Sequence, residues 1–334
     1  MKNDISAIGN ALVDTVFKVE HSLISELGLE IDQMTLSSAE EHLPIIEKLI
    51  SSGAETVSDC GGSATNSLVA AANFGANCFH ICKVSNDEDG TRYLQSLKEA
   101  GVGHKGTMAS ANSIPTGKCL ILVTPDAKRT MTTALNISSL MDENDLDLDE
   151  IANSKIFYIE GYMVTSDENY GVTLKALNHL KNFPDVKIAL SLSDPGIVIG
   201  FKDKFNEIES FGLDYIFGND DEAKAFVDAS NIEEAFIALQ TKSYISIITM
   251  GEKGSTVVTK DEIINTPRVN IEAVDTNGAG DMFAGSFLFS VLQNNDLKAC
   301  AEFANYGASK VVETFGPRLT HEAYREVLNN YKKS

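Results

Sequence analysis

From residue 155 onward, short apolar runs closed by glycine or a polar residue alternate with segments of helical period. The runs are 155–161 (KIFYIEG), 187–194 (KIALSLSD), 215–219 (YIFGN) and 244–251 (YISIITMG), with helical periodicity over 220–229 and 231–241. Strands separated by helices cannot pair as tight hairpins. Each crossover helix returns the chain to the same end of the sheet, so the strands run parallel and helices cover both faces. The expected fold class is therefore α/β with a mostly parallel central sheet. Ligands of such sheets sit beyond the carboxyl ends of the strands. Asn10, Gly161, Asp194, Asn219 and Gly251 each close an apolar run and fall there.

Two stretches break the alternation. Residues 12–40 carry the β-rich run 12–19 and then 28–34. Residues 106–136 read as two strands, 117–124 and 128–134, joined by the turn signal Pro125-Asp126-Ala127,. They form either a small separate sheet that acts as a lid or an ordinary edge hairpin. The 334 residues are expected to make one domain carrying this lid,.

With 43% hydrophobic residues and 7 Pro the chain has ample material for a core,. Its net charge of −21 opposes a nucleic-acid or anionic-membrane surface but not a small anionic substrate in a local pocket,. The five cysteines are scattered. Cys78, His80 and Cys82 would share one strand face and are read as core, because no second ligand pair follows,. No apolar run approaches the roughly 18 residues of a membrane span, and no signal-peptide pattern opens the sequence,. A cytoplasmic protein, monomer or homodimer, is expected.

The most chemical segment is Asp275-Thr276-Asn277-Gly278-Ala279-Gly280-Asp281, which runs into an apolar helix. Small residues let backbone N–H groups approach a ligand, and a helix N-terminus favours an anion. Asp281 on the first turn could take a proton from a hydroxyl aimed at that anion. A helix cap with a tight turn is the alternative. Gly61-Gly62-Ser63 before an Ala-rich helix allows close substrate approach, with Asn66 able to reach a hydroxyl, or is a capped turn,. Asp14 either meets a polyol or points outward. Asn219 and Glu222 share a helix face suited to hydrated Mg²⁺, or form a capping box,. Thr249-Met250-Gly251-Glu252-Lys253-Gly254 is a strand-end turn against which a nucleotide could sit. Thr116-Gly117-Lys118-Cys119 fails as a phosphate-binding loop, since 112 is Asn and 119 is Cys. Gly9-Asn10-Ala11-Leu12 lacks the glycines of a dinucleotide fingerprint,.

In order, Gly9-Asn10…Asp14, Gly61-Gly62-Ser63…Asn66, Asn219…Glu222, Thr249…Gly251…Gly254 and 275–281 resemble the motif set of the ribokinase-like (PfkB) carbohydrate kinases over nearly the whole chain. The segments 9–14, Ile31-Asp32-Gln33, 115–119, 217–223 and 274–281 look most like the adenosine-kinase branch of that family. The resemblance implies a three-layer α/β/α sandwich with a small β-sheet lid, ATP as phosphoryl donor, Mg²⁺, and transfer to the 5′-hydroxyl of a nucleoside. The acceptor is adenosine first, with another nucleoside (inosine or guanosine) or a free sugar as alternatives; a nucleotide or nucleoside sensor on the same fold is the non-catalytic one. By matching position, Asp281 is the implied base and Gly278, Ala279 and Gly280 the anion hole. Asn10, Asp14, Gln33, Gly62, Ser63 and Asn66 are the implied acceptor contacts, and Arg129 is the lid arginine near the transferring group. Asn219, Glu222, Thr249, Gly251, Gly254 and Asn305 fall to ATP, with Glu222 also meeting Mg²⁺ through water. A monovalent cation such as K⁺ is permitted around Asp275 and Gly316. Two positions depart from the pattern: Ala11 stands where proline is frequent, and Gly196 where an aromatic side chain packs on the base. Tyr162 or Phe17 could substitute for that ring.

Overall fold

The structure, a computed structural model, describes residues 2–31, 33–109, 114–126 and 128–331. Asp32, Asn112 and Ala127 of the segments quoted above lie outside the described residues. The strands, in chain order, are β1 Asn3–Ile8, β2 Leu12–Lys18, β3 Met34–Leu36, β4 Thr56–Gly61, β5 Cys78–Ser85, β6 Gly103–Ala109 and β7 Gly117–Val123. They continue with β8 Arg129–Ala134, β9 Ser154–Ile159, β10 Lys187–Ser191, β11 Tyr215–Asn219, β12 Ile245–Thr249, β13 Ser255–Val258 and β14 Ile263–Thr266.

Nine strands make one sheet in the order β14-β13-β12-β11-β10-β9-β1-β5-β6. From β12 to β6 every neighbour is parallel; β13 and β14 add an antiparallel edge. The apolar run in β9 is buried throughout because helices cover both faces. Ile156 and Tyr158 pack into one core and Phe157 and Ile159 into the other, the alternation that a pleated strand imposes,. Cys78 and Cys82 belong to the first core. His80 is buried beside Thr65 with Nε2 3.0 Å from its hydroxyl, and burial lowers its pKa to about 4.

From β1 the chain steps to β5 and β6 on one side, then crosses to β9 and onward on the other. The order therefore reverses between β1 and β9, and the crevice beyond their carboxyl ends is where such a sheet takes ligands. Helix Ala279–Leu292 is apolar on every side because it lies between helices Ser63–Phe74 and Leu297–Val312,. Gly285 permits that approach: a Cβ there would stand 2.2 Å from the Ser67 carbonyl oxygen. This close packing brings the first turns of two helices, one carrying Asp281 and the other Ser63 and Asn66, to the same spot.

The remaining five strands form the second, smaller sheet, ordered β3-β8-β7-β2-β4. Phe17, Val19, Leu120 and Leu122 on one face pack under helices His21–Glu26 and Ala39–Ser51 through Ile24 and Leu49. Its bounds differ from the expected 12–40 and 106–136. The sheet also recruits β4, whereas residues 106–109 belong to β6 of the large sheet.

Candidate active site

Period two along the small sheet selects its other face. Leu12 and Asp14 of β2, Met34 and Leu36 of β3, Cys119 and Ile121 of β7, and Met131 and Thr133 of β8 all turn toward the carboxyl ends of β1 and β9,. They close a cleft of about 230 Å³ whose opposite wall includes Asn10, Gly62, Ser63, Asn66, Gly278, Gly280 and Asp281. Its lining is of two kinds. Asp14, Ser63, Asn66 and Asp281 are among the polar residues, and Met34, Leu36, Ile121, Met131, Leu135 and Tyr162 among the apolar and aromatic ones.

Asp281 is held at both oxygens. Ser63 Oγ donates to Oδ1 at 2.6 Å and Asn66 Nδ2 to Oδ2 at 2.9 Å. Burial raises its pKa against these donors and the nearby Arg318 guanidinium. Its neighbour in the cleft, Asp14, is nearly inaccessible, and burial pushes it up to about 7 although Arg318 opposes the shift. Gly278 caps the helix at φ 72°, and a Cβ there would lie 2.4 Å from the Pro317 carbonyl oxygen. Only glycine suits that backbone and that contact. At the start of Ala279–Leu292 the Ala279 N–H donates to the Thr276 carbonyl at 3.3 Å. The N–H groups of Gly280 and Asp281 have no acceptor within the helix, an arrangement suited to an anion.

A second cleft of about 360 Å³ adjoins the outer side of this turn. It is lined by Thr249, Gly251, Gly254, Ala279, Gly280 and Asn305, together with the apolar side chains Val269, Ile271, Phe283 and Val312. Four of the six expected nucleotide contacts thus line this cleft, while Asn219 and Glu222 line a neighbouring cavity that shares Thr249 and Gly280 with it. Asn305 has a structural duty too: its Nδ2 donates to the carbonyls of Thr266 at 3.3 Å and Pro267 at 3.2 Å.

Asn219 and Glu222 form the capping box that was the alternative to a metal site. Asn219 Oδ1 accepts from the Glu222 N–H at 2.8 Å, while Glu222 accepts from Asn219 N at 3.0 Å and Nδ2 at 2.7 Å. Glu222 nevertheless lines a polar cavity with Asp281, Ser191, Ser193 and Thr249, and burial raises it to about 7. This set of oxygens suits a hydrated Mg²⁺ held mainly by phosphates and water. Among the described residues no three His, Cys, Asp or Glu side chains cluster as a metal cage.

Arg129 reaches across from β8 to form an ion pair with Asp275, and burial lowers its pKa to about 10. Asp275 also accepts the N–H groups of Asn277 at 2.7 Å and Gly316 at 3.0 Å. A guanidinium and two amides thus converge on the Asp275 carboxylate. Gln33 is exposed and is absent from the cleft wall, which takes its neighbours Met34 and Leu36 instead. Of the two rings considered as stacking partners, Tyr162 lines the acceptor cleft, whereas Phe17 is buried beneath the opposite face of the small sheet.

Two residues at the site carried no local signal. Glu160, closing β9, is fully buried. It accepts from Asn10 N at 3.2 Å, Asn10 Nδ2 at 3.0 Å and Ala64 N at 2.9 Å. It ties the corner after β1 to the helix that bears Ser63 and Asn66, and burial raises it to about 7. Arg318 approaches from the segment after helix Leu297–Val312 and donates to Asn66 Oδ1 at 2.8 Å.

A profile of the pfkB family of carbohydrate kinases matches residues 30–323. Adenosine kinase of Saccharomyces cerevisiae is 27% identical, covering 96% of this chain and 98% of that protein. Ribokinase of Dictyostelium discoideum is 29% identical over 80% of this chain and 88% of its own length. The crystal structure of adenosine kinase from Sinorhizobium meliloti superposes with a TM-score of 0.90 at 28% identity, covering 99% of this chain and all of that one. No helix among the described residues is long and apolar enough to cross a membrane. The chain belongs to the pfkB family of carbohydrate kinases, phosphotransferases with an alcohol group as acceptor.

Proposed function

We propose that the protein transfers the γ-phosphoryl group of ATP to the 5′-hydroxyl of a nucleoside, adenosine before others. The observation that carries this reading is the mixed lining of the cleft, which joins Asp14, Ser63, Asn66 and Asp281 to a set of large apolar side chains. A free sugar offers hydroxyls all round and would leave the wall of Met34, Leu36, Ile121, Met131 and Leu135 facing water or polar groups. A nucleoside has a ribose for the polar residues and a flat, weakly hydrated base for the apolar ones. Tyr162 is the aromatic side chain on that wall, in place of the ring that Gly196 does not provide.

In this mechanism Asp14 and Asn66 hold ribose hydroxyls and place the primary alcohol against Asp281. The carboxylate takes the hydroxyl proton as the oxygen attacks the γ-phosphorus in line, and ADP leaves. The N–H groups left free at the helix start, beside the turn Gly278-Ala279-Gly280, offset the charge gathering on the transferring oxygens. ATP occupies the cleft lined by Thr249, Gly251, Gly254 and Asn305. Mg²⁺ carried by the phosphates would supply charge neutralisation, and Glu222 and Asn219 are the residues that would meet its water shell. The small sheet acts as a lid that keeps water from the reacting phosphate, and the Arg129–Asp275 pair ties it to the segment that leads into helix Ala279–Leu292.

The test is ATP consumption with Mg²⁺, with and without K⁺, against adenosine, inosine, guanosine, ribose and fructose, with products identified by mass spectrometry. AMP formed selectively from adenosine is the expected result. A preference for ribose or fructose would refute the assignment of the apolar side chains to a base. ATP binding without product from any acceptor would favour a sensor.

A further inference from the structure

The short segment Gly316-Pro317-Arg318 touches the site at three points. The Gly316 N–H donates to Asp275 at 3.0 Å, the Pro317 carbonyl backs Gly278, and Arg318 Nε donates to Asn66 Oδ1 at 2.8 Å. Arg318 is braced from behind by helix Glu88–Glu99, where Nη1 donates to Ser96 Oγ at 3.1 Å. Its Nη2 is buried without a hydrogen-bond partner among the described residues. A guanidinium so placed is costly as a mere structural prop.

We propose that Arg318 is a positioning residue for the reaction, fixing the Asn66 carboxamide so that its NH₂ group holds the Asp281 carboxylate in register with the acceptor hydroxyl. Arginine only donates, so the Asn66 atom facing Nε must be the carbonyl oxygen, and the amide nitrogen is then turned to Asp281 Oδ2,. With Ser63 on Oδ1, both oxygens are set from one helical turn and the carboxylate plane cannot swing. Without Arg318 the amide is free to flip and present its oxygen to the carboxylate. The role rests on reading Asp281 as the base.

Arg318 is also a cation opposing a crowd of acids, and Arg129 from β8 is a second one acting on Asp14. Around Asp281 stand Asp14 from the small sheet, Tyr158 and Glu160 from the end of β9, and Tyr324 from helix His321–Tyr331. Burial and these neighbours raise the carboxyl groups, whereas the Arg318 charge lowers both Asp14 and Asp281. Losing that charge moves the protonation of Asp281 to higher pH.

The experiment compares Arg318→Met and Arg318→Lys with wild type in the full chain, reading kcat, the ATP KM and the pH profile of kcat. In the Met variant kcat should fall about 10–100-fold, as is typical when a partner that orients a reacting group is removed. The ATP KM should stay within about twofold and the acid limb should move to higher pH. Lysine should restore the acid limb and part of kcat, because one ammonium keeps the charge but cannot span Asn66 and Ser96 together. Unchanged kcat and acid limb in the Met variant would overturn the role. Should that variant fail to fold, Lys decides: a lowered kcat on a wild-type acid limb supports the role and wild-type kcat refutes it. If wild type phosphorylates no acceptor, the kinase reading falls separately. The Asp281 carboxyl is then titrated by ¹³C NMR, assigned with Asp281→Asn. An upward shift in Arg318→Met supports the role, and none overturns it.

Discussion

Asp281→Asn separates the two roles open to a carboxylate at a helix start. Both Asp281 oxygens accept, from Ser63 Oγ at 2.6 Å and Asn66 Nδ2 at 2.9 Å. Asparagine is nearly isosteric. Its oxygen can keep the Asn66 contact, and its NH₂ can donate to the Ser63 hydroxyl, which rotates to accept. The local structure therefore survives the change, while the group that receives the proton is lost. Removing general-base catalysis typically costs about 10²–10⁴ in rate, or about 3–5 kcal/mol of barrier at 1.36 kcal/mol per tenfold. Stability should move the other way. Burial raises the Asp281 pKa, so the ionised carboxylate is a burden on the fold near pH 8 that the amide relieves,. Turnover is read by coupled ADP release at saturating substrates and stability by calorimetry at pH 8. With an unfolding entropy of about 2.1 cal/mol/K per residue, a chain of this length shifts by about 1.4 °C per kcal/mol. A structural carboxylate, worth about 3–5 kcal/mol when its buried partners are orphaned, would lower the midpoint by about 4–7 °C. The expected result is a large loss of kcat at an equal or higher melting midpoint. A fall in midpoint of that size, or near wild-type turnover, would refute the reasoning.

Gly278→Ala should cost at least about 1–2 kcal/mol from the left-handed backbone alone, and more because the new Cβ would stand 2.4 Å from the Pro317 carbonyl,. Chemical denaturation measures the loss, and single-turnover kinetics should slow because the displaced turn aims the anion hole. An alanine variant as stable and as fast as wild type would remove Gly278 from that role. Asp14, Glu160 and Glu222 are each raised to about 7 by burial, well above the ordinary carboxylate range of an unfolded chain,. At these three carboxyls the folded state binds more protons between about pH 4 and pH 7, so their contribution declines as pH rises through that window. Buried His80, lowered to about 4, works the other way below about pH 6.5 but is one group against three,. The melting midpoint should be higher at pH 5.5 than at pH 8, and Glu160→Gln should flatten the dependence. A midpoint that rises with pH over this range would contradict the burial argument.

What could be read from the sequence was whatever chemistry is local. The 275–281 run carries its own turn, cap and acid within seven residues, and the 61–66 run does the same; the structure brings both to one spot. The alternation of runs after residue 155 encodes a parallel sheet because each strand and its crossover helix are contiguous. Even the fate of the two rings was within reach. Asp14 and Phe17 are an odd number of residues apart on β2, so a strand that turns Asp14 toward a ligand must turn Phe17 away from it,. Glu160 and Arg318 were out of reach for the opposite reason. Glu160 meets Asn10 across 150 positions and Arg318 meets Asn66 across 252. Neither sits in a segment whose spacing implies a partner. Arg129 shows where a local reading stops. A hairpin arginine can be assigned to a phosphate by position, but its ion pair with Asp275 depends on how two sheets face each other. That contact makes the small sheet and the anion-hole turn mechanically one unit in this arrangement.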